Sequence, residues 1–187
     1  MKFKFKIQEY QTEAVQAVVD VFKGQPYNNG LSYKRDMGKG FVSLFDEDSL
    51  GYGNNPVALD SADLFSNITA IQRNSNIPQS ESLSKELGAC SLDVEMETGT
   101  GKTYVYIKTM FELNKKYGWS KFIVVVPSIA IREGVKKTFE MTVNHFMEYY
   151  RKKARFFVYD SDNLNQIESF SSSLDLNVMI INMQAFN

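Results

Sequence analysis

The sequence predicts an α/β fold, a mostly parallel sheet with helices on both faces. Three observations predict it. Strand-sized apolar runs alternate with segments of helical period through the second half of the chain, as parallel crossovers require. A glycine-rich turn ending in Gly101-Lys102-Thr103 stands between an alternating apolar segment and a helical one. The chain of 187 residues is 43% hydrophobic, ample for a globular core, and its longest apolar stretch, Phe122 to Val126, is strand-sized and too short to span a bilayer.

From the N-terminus, Lys2, Lys4 and Lys6 alternate with Phe3, Phe5 and Ile7, the period-two signature of a strand whose lysines protect a wet edge. Tyr10, Ala14, Val18 and Phe22 then recur at four-residue spacing, predicting a helix that Gly24 and Pro26 terminate. Residues 1–23 thus form an N-terminal strand and helix. Residues 24–88 read as an insertion. Six of the 11 glycines fall between Gly24 and Asp60, with Pro26 and Pro56, so a long excursion carrying one short hairpin is expected there. Helices are expected near 61–75 and 81–87. Asp60 offers an N-cap to the first, whose stripe is Leu64, Ile68 and Ile71, and the second carries Leu83 and Leu87 and closes at Gly88.

Residues 89–187 are regular. A strand from Leu92 to Met96 leads through the glycine turn into a helix carrying Tyr104, Ile107 and Phe111, with Lys115 and Lys116 in its last turn and Gly118 as its stop. A strand from Lys121 to Val126 follows, then a long helix with Val135, Phe139, Val143, Phe146 and Tyr150 inward. A strand from Phe156 to Tyr159, a helix with Leu164 and Ile167, and a strand from Val178 to Asn182 complete the pattern.

Bulk properties narrow the function classes. Net charge is −1, so no global field announces a nucleic-acid binder, and any such contact must come from local placement. The single cysteine, Cys90, cannot form an internal disulfide, which agrees with a reducing compartment, and without clustered Cys or His it argues against zinc. Met1-Lys2-Phe3-Lys4 lacks the apolar region of a signal peptide, so a cytoplasmic location without a membrane partner is expected.

One passage names a chemistry. In Met96-Glu97-Thr98-Gly99-Thr100-Gly101-Lys102-Thr103 the glycines let successive backbone N–H groups converge on phosphate oxygens. Lys102 can neutralise β- and γ-phosphates, the Thr103 hydroxyl can ligate Mg²⁺, and the helix starting there adds the positive end of its dipole. Met96 stands where the strict pattern wants glycine. A plain glycine turn would leave the Gly-Lys-Thr ending unexplained. Upstream, the Gln11 carboxamide donates and accepts at once, which suits the N6 and N7 edge of adenine.

These residues together support a resemblance. The run from Met96 to Thr103, the upstream Tyr10-Gln11, and Val124-Val125-Val126-Pro127-Ser128 followed by Ile131-Arg132-Glu133-Gly134-Val135 resemble the first RecA-like motor domain of superfamily 2 helicases and translocases. With Tyr104-Val105-Tyr106 and Ile77-Pro78 added, the chain looks like the restriction (Res) subunit of type III restriction-modification enzymes.

The resemblance implies an ATP- and Mg²⁺-dependent motor on double-stranded DNA, working with a methylating, site-recognising Mod subunit and carrying a separate nuclease domain. It implies that Gln11, Glu97, Thr98, Gly99, Thr100, Gly101, Lys102 and Thr103 bind nucleotide, with Lys102 and Thr103 as the catalytic pair. Pro127, Ser128 and Arg132 match the motif that contacts the DNA backbone, although Ser128 equally suits a helix N-cap. Asn182, Met183 and Gln184 fall where a further backbone-contacting motif would lie.

An acidic pair is needed to hold Mg²⁺ and orient water, and in family order it follows the strand ending at Asn182. Asp160, closing an apolar run, is a weaker candidate. The acidic motif, a second motor domain and the nuclease are therefore expected beyond Asn187, and the isolated chain is expected to bind nucleotide without efficient hydrolysis. The alternatives are a type I restriction motor, a stand-alone helicase, or a non-catalytic nucleotide-binding or assembly module.

Overall fold

The computed structural model describes residues 5–35, 50–86, 88–162 and 165–186. Contacts divide the chain into two compact units, one built from Asn28–Asn55 and Gly118–Asn187, the other from Lys4–Tyr27 and Pro56–Tyr117. The expected insertion is therefore divided, its hairpin belonging to the first unit and its helix to the second.

The first unit is α/β. Its parallel sheet has strands β3 (Lys121–Val126), β4 (Arg155–Val158) and β5 (Asn177–Asn182) in the order β3-β5-β4, with β5 between the other two. Lys121 and Arg155 both face Asn177 in register, and Val124 and Val158 both face Ile180. Long crossover helices are what parallel neighbours require, and α4 (Ile129–Tyr150) and α5 (Asn165–Ser172) supply them. Phe139 of α4 stacks on Phe156 at 5.1 Å, while Phe170 of α5 meets Phe157 edge-on at 5.9 Å. Consecutive strand residues point to opposite faces, so the two helices cover opposite faces of the sheet. The central strand is accordingly apolar on both sides, with Val178 and Ile180 buried on one face and Ile181 on the other.

An antiparallel hairpin, β1 (Leu31–Lys34) with β2 (Leu50–Gly53), realises the expected excursion, while residues 36–49, with Gly38 and Gly40, lie outside the described residues. The chain after β2 is stitched to the start of β3: the Asn54 side chain accepts from the N–H groups of Ser120 and Lys121 and donates to the Lys121 carbonyl at 2.7 Å. The buried Trp119 indole N–H donates to the Asn55 carbonyl, the turn-buttressing role its position suggests.

The second unit is helical, with α1 (Glu9–Val21), α2 (Ser61–Asn74) and α3 (Lys102–Tyr117). Asp60 caps α2, its carboxylate accepting from the N–H groups of Ala62 and Asp63. Asn67 of α2 donates to the Val21 and Lys23 carbonyls and so satisfies orphan acceptors where α1 ends. Helix α3 is buried nearly all round and includes Lys108 and Asn114 among its covered residues.

Five expectations need correction. Leu92 to Met96 forms no strand: no described segment pairs with it, and unpaired extended backbone has no ladder to hold it. Residues 5–8 are likewise irregular, and 1–4 lie outside the described residues. Residues 81–86 make bends and a turn rather than a helix, because a single turn with Ser and Gly flanks cannot repay helix nucleation. Finally, α1 buries Gln11, Val15 and Val19 rather than Tyr10, Ala14 and Val18, a one-residue rotation that turns Gln11 inward. On α4, Thr142 is buried in place of Val143, its hydroxyl donating back to the Thr138 carbonyl at 2.8 Å.

Two predictions follow from this packing. Gly118 has φ +82°, and a Cβ there would lie 2.0 Å from the Asn28 carbonyl oxygen, a backbone atom that cannot swing aside. Gly118→Ala should therefore cost at least about 2 kcal/mol in urea unfolding, and a loss below about 0.5 kcal/mol would contradict the packing. Lys121 donates to the Ser173 carbonyl and lies 5.3 Å from the Phe170 ring centroid. Burial foremost, with Arg155 assisting and Asp175 opposing, pushes its pKa down from 10.5 to about 8. Between about pH 8 and 10.5 the folded chain releases this proton while the unfolded chain keeps it, so Lys121 contributes rising stability with pH in that window. The stability difference between Lys121→Met and the parent should thus shift toward the parent from pH 7 to pH 10, and a pH-independent difference would refute the assignment.

Candidate functional site

The loop preceding α3 is built by its glycines. Gly99 and Gly101 have φ +85° and +90°, values that side-chain-bearing residues rarely adopt. The turn between them closes on itself, with the Thr100 hydroxyl donating to the Glu97 carbonyl at 2.7 Å and the Thr100 N–H to the same oxygen at 3.4 Å. Val105 N–H donates to the Gly101 carbonyl at 3.0 Å as the helix begins. The N–H groups of Lys102, Thr103 and Tyr104 precede that bond and have no carbonyl one turn back within the helix.

Helix α1 brings Gln11 onto this loop. Its Nε2 donates to the Thr100 carbonyl at 2.9 Å, and the Tyr10 hydroxyl donates to the same oxygen at 3.0 Å. A carbonyl can only accept, so the bond fixes which end of the Gln11 amide faces the loop. Gln11 is buried, whereas the Tyr10 side chain is largely exposed. Further ties keep α1 beside α3: Lys108 Nζ donates to the Thr12 hydroxyl at 2.9 Å, the Tyr117 hydroxyl donates to the Val19 carbonyl at 2.9 Å, and Lys116 pairs with Asp20 at 2.8 Å.

The electrostatics agree with this packing. Burial drives the Lys108 pKa down, with the nearby Glu112 charge offsetting part of the effect. Burial also works against the Asp20 charge, but hydrogen bonds from Lys116 and Gln16 hold its carboxyl below the usual range. The Tyr106 hydroxyl, one turn after Thr103, is buried without a well-formed hydrogen bond among the described residues. Burial pushes its pKa up, and the neighbouring Thr103 hydroxyl counteracts this in part.

The residues fit a polyphosphate with its cation. Among the described residues nothing lies within 4 Å of where a Gly99 Cβ would be, so the space beside Gly99 is open. Lys102 is exposed at the first position of α3, Thr103 is half-buried beside it, and Glu97 and Thr98 are exposed on the approach. No group of three or more His, Cys, Asp or Glu that could cage a metal occurs among the described residues.

The expected DNA-contacting residues gather in the other unit, at the C-terminal end of its sheet. Ser128 caps α4, its oxygen accepting from Ile131 N–H at 3.3 Å, which leaves its own proton free to donate. Arg132 donates to Asn182 Oδ1 at 3.3 Å and pairs with Glu133 at 3.1 Å. Asn182 in turn donates to Gln184 Oε1 at 2.8 Å, and Gln184 donates to the Pro127 carbonyl at 3.4 Å. A cavity of about 340 Å³ beside this network is lined by Arg132, Val158, Tyr159, Asp160 and Gln166. The Asp160 carboxylate accepts from Asp162 N–H at 3.0 Å, so it stabilises the turn after β4.

Sequence reasoning missed Lys108 and the loop contact of Tyr10. For Lys108 the signal was its place one residue after Ile107 and three before Phe111, between two of the residues that read as the core stripe of α3.

The family described as "Type III restriction enzyme, res subunit" matches residues 4–187 of the chain. The Res subunit of the type III enzyme EcoP15I of Escherichia coli is 36% identical over 110 residues, 58% of this chain and 11% of that protein. The StyLTI Res subunit of Salmonella typhimurium is 52% identical over 62 residues, 32% of this chain and 6% of that one. The EcoPI Res subunit of Escherichia phage P1 is 43% identical over 72 residues, 37% of this chain and 7% of that protein. The chain thus spans about a tenth, or less, of the length of these relatives.

The two loop glycines should differ in what they tolerate. A Cβ on Gly101 would lie 2.6 Å from Gln11 Nε2, so Gly101→Ala must both strain φ and push Gln11 off Thr100. Gly99→Ala meets only the φ strain, about 1 kcal/mol, and Gly101→Ala should cost about 1 kcal/mol more. Thermal unfolding without nucleotide checks this, and equal losses would contradict the contact.

Proposed function

Because the chain belongs to the type III restriction enzyme res-subunit family, we propose that it is the ATP-binding part of the motor of such a subunit. The observation that supports the reading is the hydrogen bond from the Gln11 amide to the Thr100 carbonyl, which joins a group able to read a base edge to the glycine loop before α3.

Hydrogen-bond counting supports adenine. Gln11 Nε2 carries two protons, and the Thr100 carbonyl takes one. The second proton can serve N7 of adenine while Oε1 accepts from N6, and a guanine edge, with an acceptor in place of N6, would set oxygen against oxygen. On this reading the backbone amides from Gly99 to Thr103 hold the phosphates, the Lys102 ammonium balances their charge, and the Thr103 hydroxyl ligates Mg²⁺. Bound MgATP would supply the phosphoanhydride bond whose cleavage drives the motor.

In the other unit, the Ser128 hydroxyl and the Arg132 guanidinium are the proposed contacts to the backbone of double-stranded DNA, with Pro127, Asn182 and Gln184 ordering them. Glu133 neutralises part of the Arg132 charge, so these contacts position the strand more than they attract it. Recognition of the DNA site is assigned to a Mod partner subunit, and a cytoplasmic location follows from that work. A second reading, a nucleotide-binding module that does not itself hydrolyse ATP, draws on Asp160, the carboxylate that closes the apolar run of β4, which is engaged by the Asp162 N–H in a turn.

A ligand that binds only the folded state raises its unfolding temperature by mass action. MgATP should therefore stabilise the parent, and Lys102→Ala should reduce ATP affinity at least about tenfold, the loss of one charge-assisted contact, without altering unliganded unfolding. An ATP-induced shift of equal size in both proteins would overturn the proposal.

A further inference from the structure

We propose that Tyr10 is a positioning residue for the phosphate loop, holding the Thr100–Gly101 peptide in the orientation that offers its N–H to an anion. The inference rests on the nucleotide-binding reading above and adds a residue that reading does not require.

A trans peptide points its C=O and N–H in opposite directions, and the described chain has no cis bonds. With the Thr100 carbonyl turned toward α1, the Gly101 N–H is directed away from α1. Nothing covalent keeps it so. Gly101 at φ +90° belongs to the one residue type that tolerates either sign of φ, so the plane between Thr100 and Gly101 can rotate at little local cost. After such a rotation a carbonyl dipole would replace the N–H and repel phosphate.

Two hydrogen bonds oppose the rotation, from Gln11 at 2.9 Å and from the Tyr10 hydroxyl at 3.0 Å, and together they use both lone pairs of the carbonyl oxygen. Gln11 has a second task at the base. The Tyr10 hydroxyl makes no other hydrogen bond among the described residues, and the residue is 46% exposed, so the anchoring bond is what its position provides. The chain ties at Thr12, Val19 and Asp20 make α1 a fixed support for this bond.

The test is calorimetric titration of the full chain with MgATP and with inorganic tripolyphosphate, which has the phosphates but no base. Tyr10→Phe keeps the ring and removes the hydroxyl. It should weaken both ligands by the same factor, about fivefold for one hydrogen bond. Gln11→Ala should weaken ATP more than tripolyphosphate. Unchanged binding of both ligands to Tyr10→Phe would overturn the proposal, as would a loss confined to ATP, which would make Tyr10 a base contact. Lys102→Ala separates the two levels: if it too binds tripolyphosphate like the parent, the phosphate-loop reading itself fails. If Lys102→Ala loses binding and Tyr10→Phe does not, only the role of Tyr10 falls. Thermal unfolding of each variant without ligand monitors the fold, and the ratio of the two affinities remains decisive even where stability drops.

Discussion

The carbonyl of Thr100 is the constraint on which the helical unit is organised. It lies in a segment whose two glycines allow many conformations, and the turn's own hydrogen bonds to Glu97 close only part of it. The Thr100 carbonyl itself is held from outside, by the two donors on the first turn of α1. Those donors are useful only if α1 cannot move, and α1 is held along its length by Lys108, Tyr117 and Lys116 of α3 and at its end by Asn67 of α2. The exposed Lys116–Asp20 pair adds little to stability on its own. The buried donors matter more, because removing one partner would leave a polar group without water or a mate.

The α/β unit solves a different problem. Its central strand must be apolar on both faces, and β5 is, so the polar residues of that strand are pushed to its ends. At the C-terminal end this leaves Asn182, next to Arg132 and Ser128 where α4 begins. The C-terminal edge of a parallel sheet is where ligands of such folds bind, and here the edge carries donors in a connected network rather than isolated side chains. The same packing that makes the sheet stable thus concentrates its hydrogen-bonding capacity at one rim.

Much of this was legible in the sequence because it depends on short-range pattern. The strands at Lys121, Phe156 and Val178, the long α4, the Asp60 cap and the Gly118 stop each follow from period or from a single residue's backbone preference. What failed depended on partners. Leu92, Val94 and Met96 alternate as a strand should, yet alternation describes a strand's faces and says nothing of a neighbour to bond with. On α1 the apolar spacing of Tyr10, Ala14 and Val18 was real, but a buried glutamine one position along took the inward face, and no hydrophobic pattern can register that. At the site, the loop and Gln11 could be named separately. Their contact through Thr100, and the part of Tyr10 in it, required coordinates, because a separation of 89 residues is invisible to local pattern.

The shared carbonyl also bears on how binding energy divides between base and phosphate. On the proposed reading, Gln11 meets adenine with one proton and Thr100 with the other, so the groups that hold the two ends of the nucleotide are joined through one amide. Residues that share a partner do not contribute additively, and a change at Gln11 must be felt by the loop as well as by the base. A separate Tyr10 donor limits that coupling, since the carbonyl retains one anchor while Gln11 adjusts to its ligand. Two donors on one oxygen would be redundant in a static loop. If the loop takes up a nucleotide as proposed, the second donor keeps the amides aimed while Gln11 adjusts to its ligand, and on that reading a tyrosine and a glutamine stand side by side at the start of α1 for complementary reasons.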